Sequence, residues 1–376
     1  MKKKIAIIGS GIAGLTLANF LQTSSKFEFI VYEKERILDL NEGFGIQLST
    51  NSVSVLNKIG FNQLDKNDKY HPSKLDFYSM DYNKICDLDL NIFNFEDNKY
   101  TVLKRSGLIK FLKEKLLSNS IIFGKKISNI EQKKEKINIS FVDGSVDQVD
   151  YLVISDGIFA KTKSIIENKT LQPKYYGAIA IRTQVKAKDI SDFNINNISL
   201  IMGSNAHLVL YPVNQNEEFN LACVIRKKTE SNEDIKQTLE STIFKQNKNL
   251  VNLFKEDLKS WPIYTSNKTA KSIYKNVFYI GDAFYAFPPT MAQGASQAVE
   301  SANEIFDLIS GNHSDLQNVY FTNRDKRTSL INKRSKINYL GFHISNPILK
   351  IFRNKIVKIL VKNKNFINIY LGKVYK

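Results

Sequence analysis

Two features with chemistry stand out near the start of this 376-residue chain: a glycine turn and an acid. The turn is Gly9-Ser10-Gly11-Ile12-Ala13-Gly14, placed between the apolar run Ile5-Ala6-Ile7-Ile8 and a helical run through Leu21. The first glycine permits a tight turn out of a strand. The second lets a pyrophosphate approach the backbone, and the third lets the following helix pack closely on the strand. That helix would aim free N–H groups and its positive dipole end at phosphates. Glu33 ends the next apolar run, Phe27 to Glu33, 19 residues after Gly14. This is the spacing of a carboxylate that binds ribose hydroxyls, so the stretch predicts a dinucleotide site. Met1-Lys2-Lys3-Lys4 before an apolar run also suggests a secretory leader. No small-residue cleavage site precedes the next strand, and cleavage would remove the turn, which favours the dinucleotide reading.

Three later positions repeat the theme of a charge at the end of an element. Leu103-Lys104-Arg105 leads into a predicted helix from Ser106 to Leu117, so Arg105 is either a solvated charge or a clamp on a phosphate or ring edge. A predicted strand, Tyr151 to Ile154, runs into Ser155-Asp156-Gly157. Another, Val277 to Ile280, runs into Gly281-Asp282-Ala283, then Phe287 to Gly294 and a predicted helix from Ala295 to Ile309.

The elements that must position these residues divide into two kinds. Strand–turn–helix patterns open the chain and return near 277, which predicts an α/β fold. Gly43 and Gly45, in Gly43-Phe44-Gly45-Ile46-Gln47-Leu48, mark a close backbone approach or an unusual turn. A helix is expected from Ser52 to Ile59, a strand meander over 74–104, and strands at Ile121–Phe123 and Ile137–Phe141. Residues 175–228 then change character. Ala178–Val185, His207–Tyr211 and Phe219–Ile225 read as an antiparallel sheet, and Asp234–Lys255 as a helix within the same lobe.

Composition narrows the chemistry. Cys86 and Cys223 fit no metal or redox spacing, and a reducing, cytoplasmic setting is expected. His71, His207, His313 and His343 are scattered, so no metal site is expected, and no Ser/His/Asp or Cys/His arrangement is visible. No apolar run is long enough to span a membrane. The net charge of +17 is concentrated at the C-terminus: residues 326–376 hold thirteen Lys or Arg and no acid, leaving +4 for the rest. Such a segment is a solvated face, an anionic-membrane patch or a nucleic-acid patch. No specific nucleic-acid binding is expected. Ile344 to Leu371 mixes apolar residues with Lys at near-helical spacing, which suits an interfacial helix as well as one packed on the protein.

In this order the motifs resemble those of the group A FAD-dependent monooxygenases, in the branch of the salicylate hydroxylase-like, zeaxanthin epoxidase-like and tetracycline-inactivating enzymes. The likeness covers nearly the whole chain. It rests on Gly9, Gly11, Gly14 and Glu33, on Arg105, on Asp156-Gly157, on Gly281-Asp282 with Pro288-Pro289 and Ala292-Gln293-Gly294, and on Tyr320, Arg324, Arg327 and Arg334 in a long C-terminal helix. The resemblance implies a Rossmann-like FAD-binding domain of the glutathione reductase type, with an inserted antiparallel-sheet substrate domain and C-terminal helices. The boundaries would be 1–164 and 271–325 for the first, 165–270 for the second, and 326–376 for a basic helical segment.

The implied cofactor residues are Gly9, Gly11, Ile12, Ala13, Gly14, Glu33, Lys34, Gly45, Gln47, Arg105, Asp156, Asp282, Pro289, Gly294 and Ala295. Arg182, His207, Tyr211 and Phe287 are candidates for the substrate wall. The implied activity uses FAD, NADPH or NADH, and O2 to hydroxylate or epoxidise an aromatic or unsaturated small molecule through a flavin C4a-hydroperoxide. No protein nucleophile is required. Alternatives are a flavin-dependent reductase or halogenase, a membrane-surface hydroxylase of a quinone precursor or lipid anchored by the basic segment at the inner face, and an FAD-binding protein without turnover. Three positions depart from the family pattern: Tyr285 stands where His is common, Ala160 and Lys163 where Ser and Arg follow the Asp-Gly motif, and Gln47 where the tetracycline-inactivating enzymes have an acid.

Overall fold

A computed structural model describes residues 2–38, 40, 44–215, 218–230, 234–254, 258–267, 271–311, 313 and 315–375. Gly43 and Lys255 lie outside the described residues. Five parallel strands form the first sheet, in the spatial order Val277–Tyr279, Tyr151–Ile154, Lys3–Ile8, Phe27–Tyr32 and Ile121–Ile122. The middle strand is apolar from Ile5 to Ile8 because both its faces are covered there; Ile5, Ala6 and Ile7 are wholly buried. The Ile12–Gln22 and Gly294–Ser310 helices pack together beside it, with Phe20 and Phe306 stacked at 5.4 Å.

The first helix begins where the glycines let it. Gly9 has φ +99°, which favours glycine. A Cβ on Gly14 would stand 2.1 Å from the Gly9 carbonyl oxygen and 2.6 Å from Ser155 Oγ. Ser155 Oγ in turn donates to the carbonyls of Ile8 and Gly9 at 2.8 and 2.9 Å. Helix, turn and the 151–154 strand are thus locked at backbone contact distance.

The second sheet has seven strands, ordered Lys259–Thr265, Lys174–Lys186, Glu218–Arg226, Ala206–Pro212, Ile198–Met202, Lys74–Ser79 and Lys84–Asp89. It is antiparallel except where Ile198–Met202 runs parallel to Lys74–Ser79. Alternation along each strand gives it two different faces. Ile179, Ile181, Leu208 and Cys223 pack with Leu239, Ile243 and Leu250 in a core of their own. Ala180, Arg182, His207 and Val209 face the other way, into a cavity. In register, Ala222 stands between Arg182 and Val209, and Val224 stands beside His207.

Two expected elements differ. The 74–104 stretch is not one meander: its first two strands join the large sheet, while Thr101–Lys104 pairs instead with Gly45–Leu48 and Lys69–Tyr70. Burial of Val102 and Leu103, both wholly inaccessible, draws the third strand to a different core. The Asp234–Lys255 stretch is broken into an α-helix at Ile235–Leu239, a π-helix at Glu240–Phe244 and a 3-10 helix at Lys248–Leu253. Side chains intervene in the backbone ladder there: Ser241 and Thr242 hydroxyls both donate to the Thr238 carbonyl.

The C-terminal part is helical at Leu316–Phe342 and Pro347–Leu360, with shorter turns to Tyr375. Pro347 at the first turn and Asn346, which accepts from the Leu349 N–H at 3.1 Å, start the Pro347–Leu360 helix. No helix among the described residues is long and apolar enough to cross a membrane.

The close approach at Gly14 makes a direct prediction. Gly14→Ala should cost about 1–3 kcal/mol through overpacking against backbone that cannot yield. Gly11→Ala, whose Cβ would meet nothing within 4 Å, should cost about 1 kcal/mol or less. Urea denaturation of the two variants checks the contrast; equal midpoints would show that the turn relaxes.

Candidate functional site

At the turn, Glu33 is oriented by its neighbours. Its Oε2 accepts from the Ser10 N–H at 2.9 Å and the Ser10 hydroxyl at 2.7 Å, and its Oε1 from the Glu35 N–H at 3.0 Å. Burial alone would raise its pKa. The bonds from Ser10, Glu35 and Lys34 outweigh burial and hold the carboxyl below its usual range. Lys34 itself is exposed, with its ammonium 3.7 Å from Glu35. Gly11 opens onto free space, as the second glycine of a phosphate turn must, and Ile12 and Ala13 form the first helical turn with no side-chain cap on their N–H groups. Asp156 lies across the turn from Gly9. Burial pushes its carboxyl up to about 6, against the 2.6 Å bond donated by Thr162 to Oδ2, and its Oδ1 is buried with no partner.

A second group of residues lines a cavity of about 1240 Å³ between the two sheets and the C-terminal helices. The structure brings Gly45, Gln47, Arg105, Asp282, Pro289, Gly294 and Ala295 to this cavity, together with Arg182, His207, Tyr211 and Phe287. It does not bring Gly9, Gly11, Gly14, Glu33, Lys34 or Asp156 there. Asp282 is open to the cavity but surrounded by protein, and this enclosure lifts its carboxyl to about 6 while Arg105 opposes the shift. Gly294 begins the Gly294–Ser310 helix, and a Cβ there would meet nothing within 4 Å. The free N–H groups and positive end of a 17-residue helix therefore open on the cavity.

Gly45 holds two elements together. Its N–H donates to Asn220 Oδ1 at 2.8 Å, and a Cβ would lie 2.7 Å from both Asn220 Cβ and Tyr211 Cε2. Gln47 takes a 2.7 Å hydrogen bond from the Tyr100 hydroxyl and also bonds Tyr211. Burial raises the Tyr211 phenol to about 12, with Arg182 and Gln47 opposing, so it stays protonated at neutral pH. Arg182 has no carboxylate within ion-pair distance among the described residues, although it lines the cavity. Tyr285 is not a cavity residue; its hydroxyl takes a 2.9 Å bond from Asn332. Lys163 reaches the Ala283 carbonyl at 3.4 Å and lies over the Tyr279 ring.

Sequence reasoning named His207 as a wall candidate but missed its partner. His207 Nδ1 is 2.7 Å from His343 Nε2, and both rings are buried. Their separation of 136 positions leaves no local signal. Burial pushes both imidazoles well below their ordinary pKa, so the pair is neutral. The tautomers follow from the partner that is lacking. His343 Nδ1 is buried with nothing to bond, and an unpaired acceptor is tolerated better than an unpaired N–H. His343 Nε2–H therefore donates to His207 Nδ1, which leaves His207 with an Nε2–H donor for the cavity. Trp261 was also not foreseen as a wall residue; it meets Phe44 edge-on at 5.0 Å. Among the described residues no three His, Cys, Asp or Glu side chains group as metal ligands.

These features fit a flavin dinucleotide. The turn is open at Gly11, the buried Oδ1 of Asp156 lacks a partner, and the cavity exceeds the usual size for one small molecule, about 300–1000 Å³. Comparison with known proteins agrees. A family model described as "FAD binding domain" matches residues 2–310. A 3-amino-4-hydroxybenzoate 2-monooxygenase of Streptomyces cremeus is 23% identical over 350 residues, covering 91% of this chain and 88% of the relative. The fold matches that of Klebsiella pneumoniae HpxO complexed with FAD and uric acid, with a TM-score of 0.85, 17% identity and coverage of 99% and 96%. It also matches a salicylate hydroxylase–substrate complex, with a TM-score of 0.80, 19% identity and coverage of 100% and 97%.

The neutral histidine pair has a pH signature. In the unfolded chain each imidazole takes a proton below about 6.5, whereas the folded pair resists protonation. Stability is therefore lost as pH falls below about 6.5, by up to about 1.4 kcal/mol per pH unit for each imidazole. The double variant His207→Gln/His343→Gln should lose that part of the slope. Chemical denaturation of both proteins at several pH values tests it, and identical slopes would mean that the pair carries a proton in the folded state.

Proposed function

The chain belongs to the FAD binding domain family, and on that premise we propose that it is an FAD-dependent monooxygenase that uses NAD(P)H and O2 to hydroxylate or epoxidise an aromatic or unsaturated small molecule. The single observation that carries this reading is the cavity: one space that meets the N-terminus of the Gly294–Ser310 helix on one side and, on the other, an apolar sheet face bearing Arg182, which has no ion-pair partner among the described residues. Bound FAD would supply the redox chemistry, taking a hydride from the nicotinamide and using O2 to oxygenate the substrate.

The chain's own residues would do the rest. Glu33 would accept from the adenosine ribose, and the Gly11 turn with the first N–H groups of its helix would hold the pyrophosphate. Arg105, Asp156 and Asp282 would hold the middle of the cofactor. The open end of the Gly294–Ser310 helix would favour negative charge that develops on the bound flavin. Apolar walls exclude water from the reacting face. No side-chain nucleophile is required.

Arg182 and His207 would orient the substrate. Arg182 is a cation without an ion-pair partner among the described residues, and His207 offers an N–H. This suits a ring that carries an anionic group and a second acceptor. The 3-amino-4-hydroxybenzoate and salicylate in the names of the relatives each combine a carboxylate with a phenol.

The test is made on purified protein loaded with FAD. Its absorption spectrum is recorded, and NADH and NADPH oxidation are followed with an oxygen electrode against aromatic acids, phenols and polyenes. Substrate-stimulated oxygen uptake supports the monooxygenase. Flavin reduction without oxygen consumption would make it a reductase, and failure to bind FAD would sink the reading. For an active aromatic acid, Arg182→Ala should raise KM about 10- to 150-fold, the range for a lost charged hydrogen bond. It should leave a neutral phenol little affected, and equal effects on both would remove Arg182 from the substrate site.

A further inference from the structure

The Pro347–Leu360 helix is a wall of the cavity, yet much of its surface faces outward. Ile348, Leu349, Ile351, Phe352, Ile356 and Ile359 are each more than half exposed, and Arg353 is its only buried residue. On the preceding helix Ile337 and Leu340 are exposed as well. A contiguous apolar face of this kind is rare on a monomer and marks an interaction surface. Nothing in the described chain covers it.

Its charge selects the partner. Lys355, Lys358, Lys362 and Lys364 are exposed on and just beyond the helix, and no acid occurs after Asp325. A second copy of the chain docked face to face would set these lysines against one another, which opposes self-association. An anionic phospholipid surface meets both requirements. The apolar side chains enter the acyl boundary, and the lysines extend to the headgroups.

The geometry points to the Pro347–Leu360 helix as the docking face for an anionic bilayer surface. Leu349, Phe352 and Ile356 line the cavity as well as the exposed face. Docking would therefore bring the cavity rim against the lipid. The docking rests on the helix face and holds whatever reaction the cavity carries out.

The experiment uses the full chain loaded with FAD and co-sedimented with vesicles. One set is phosphatidylcholine alone, and the other is equal parts phosphatidylcholine and phosphatidylglycerol. Binding is expected to the second set only and to weaken at high salt. The triple variant Lys355→Glu/Lys358→Glu/Lys362→Glu should bind at least about 100-fold less tightly. Ile348→Ser/Ile359→Ser should weaken binding at low and high salt alike. Unchanged flavin spectra and thermal midpoints show that both variants are folded. The proposal is overturned by absence of phosphatidylglycerol-dependent binding, by equal binding of the variants, or by sedimentation equilibrium showing a dimer that the same substitutions dissolve.

Discussion

Glu300 is a largely enclosed carboxylate held by two arginines, and much of the molecule hangs on it. Arg327 bonds both of its oxygens, at 2.6 and 3.0 Å, and Arg324 lies 3.4 Å away. Burial alone would raise its pKa; the arginines reverse that and hold it low. The same Arg327 donates to the Val374 carbonyl at 2.8 Å, and Asn51 donates to Glu300 from another helix. Three helices thus meet on Glu300, and Arg327 ties the C-terminal turn to them. Removing a partner from such a pair typically costs about 3–5 kcal/mol because a buried charge is left alone. This cluster fixes the axis of the Gly294–Ser310 helix, and with it the direction in which that helix presents its positive end. Tyr320 adds to the grip by donating to the Tyr279 carbonyl at 2.8 Å, which ties the long C-terminal helix to the parallel sheet.

The two sheets contribute different things to the cavity. The parallel sheet supplies strand ends: Asp156 and Asp282 both follow strands that stop at the same edge, in keeping with the rule that open α/β sheets bind ligands beyond their strand C-termini. The large sheet supplies a broad face whose alternation puts one set of residues into a core and the next set against the ligand space. The C-terminal helices close the remaining side.

The local part of this design was legible in the sequence. Gly9, Gly11 and Gly14, Glu33, Asp156 and Asp282 sit in short strand–turn patterns whose geometry follows from a few adjacent residues. The strands Tyr151–Ile154 and Ala206–Pro212 announce themselves by unbroken or alternating apolar runs. What depends on distant partners was not legible. The bond between His207 and His343 joins positions with no shared pattern. The Lys74–Ser79 strand is drawn into the large sheet by a parallel partner more than a hundred residues later. The interruption near Ser241 and Thr242 comes from hydroxyl groups bonding backward, which a helical apolar period conceals.

The strand register of the large sheet has a consequence for what can fit. Arg182 and Val209 flank Ala222, while His207 lies two residues further along beside Val224. Arg182 and the His207 strand are therefore two strand spacings apart, about 10 Å, and offset along the strands by about 7 Å. The sheet acts as a ruler. A molecule that meets the guanidinium at one end and the imidazole N–H at the other is measured diagonally across three strands, and its length and the placement of its polar groups decide which of its carbons lies over the centre.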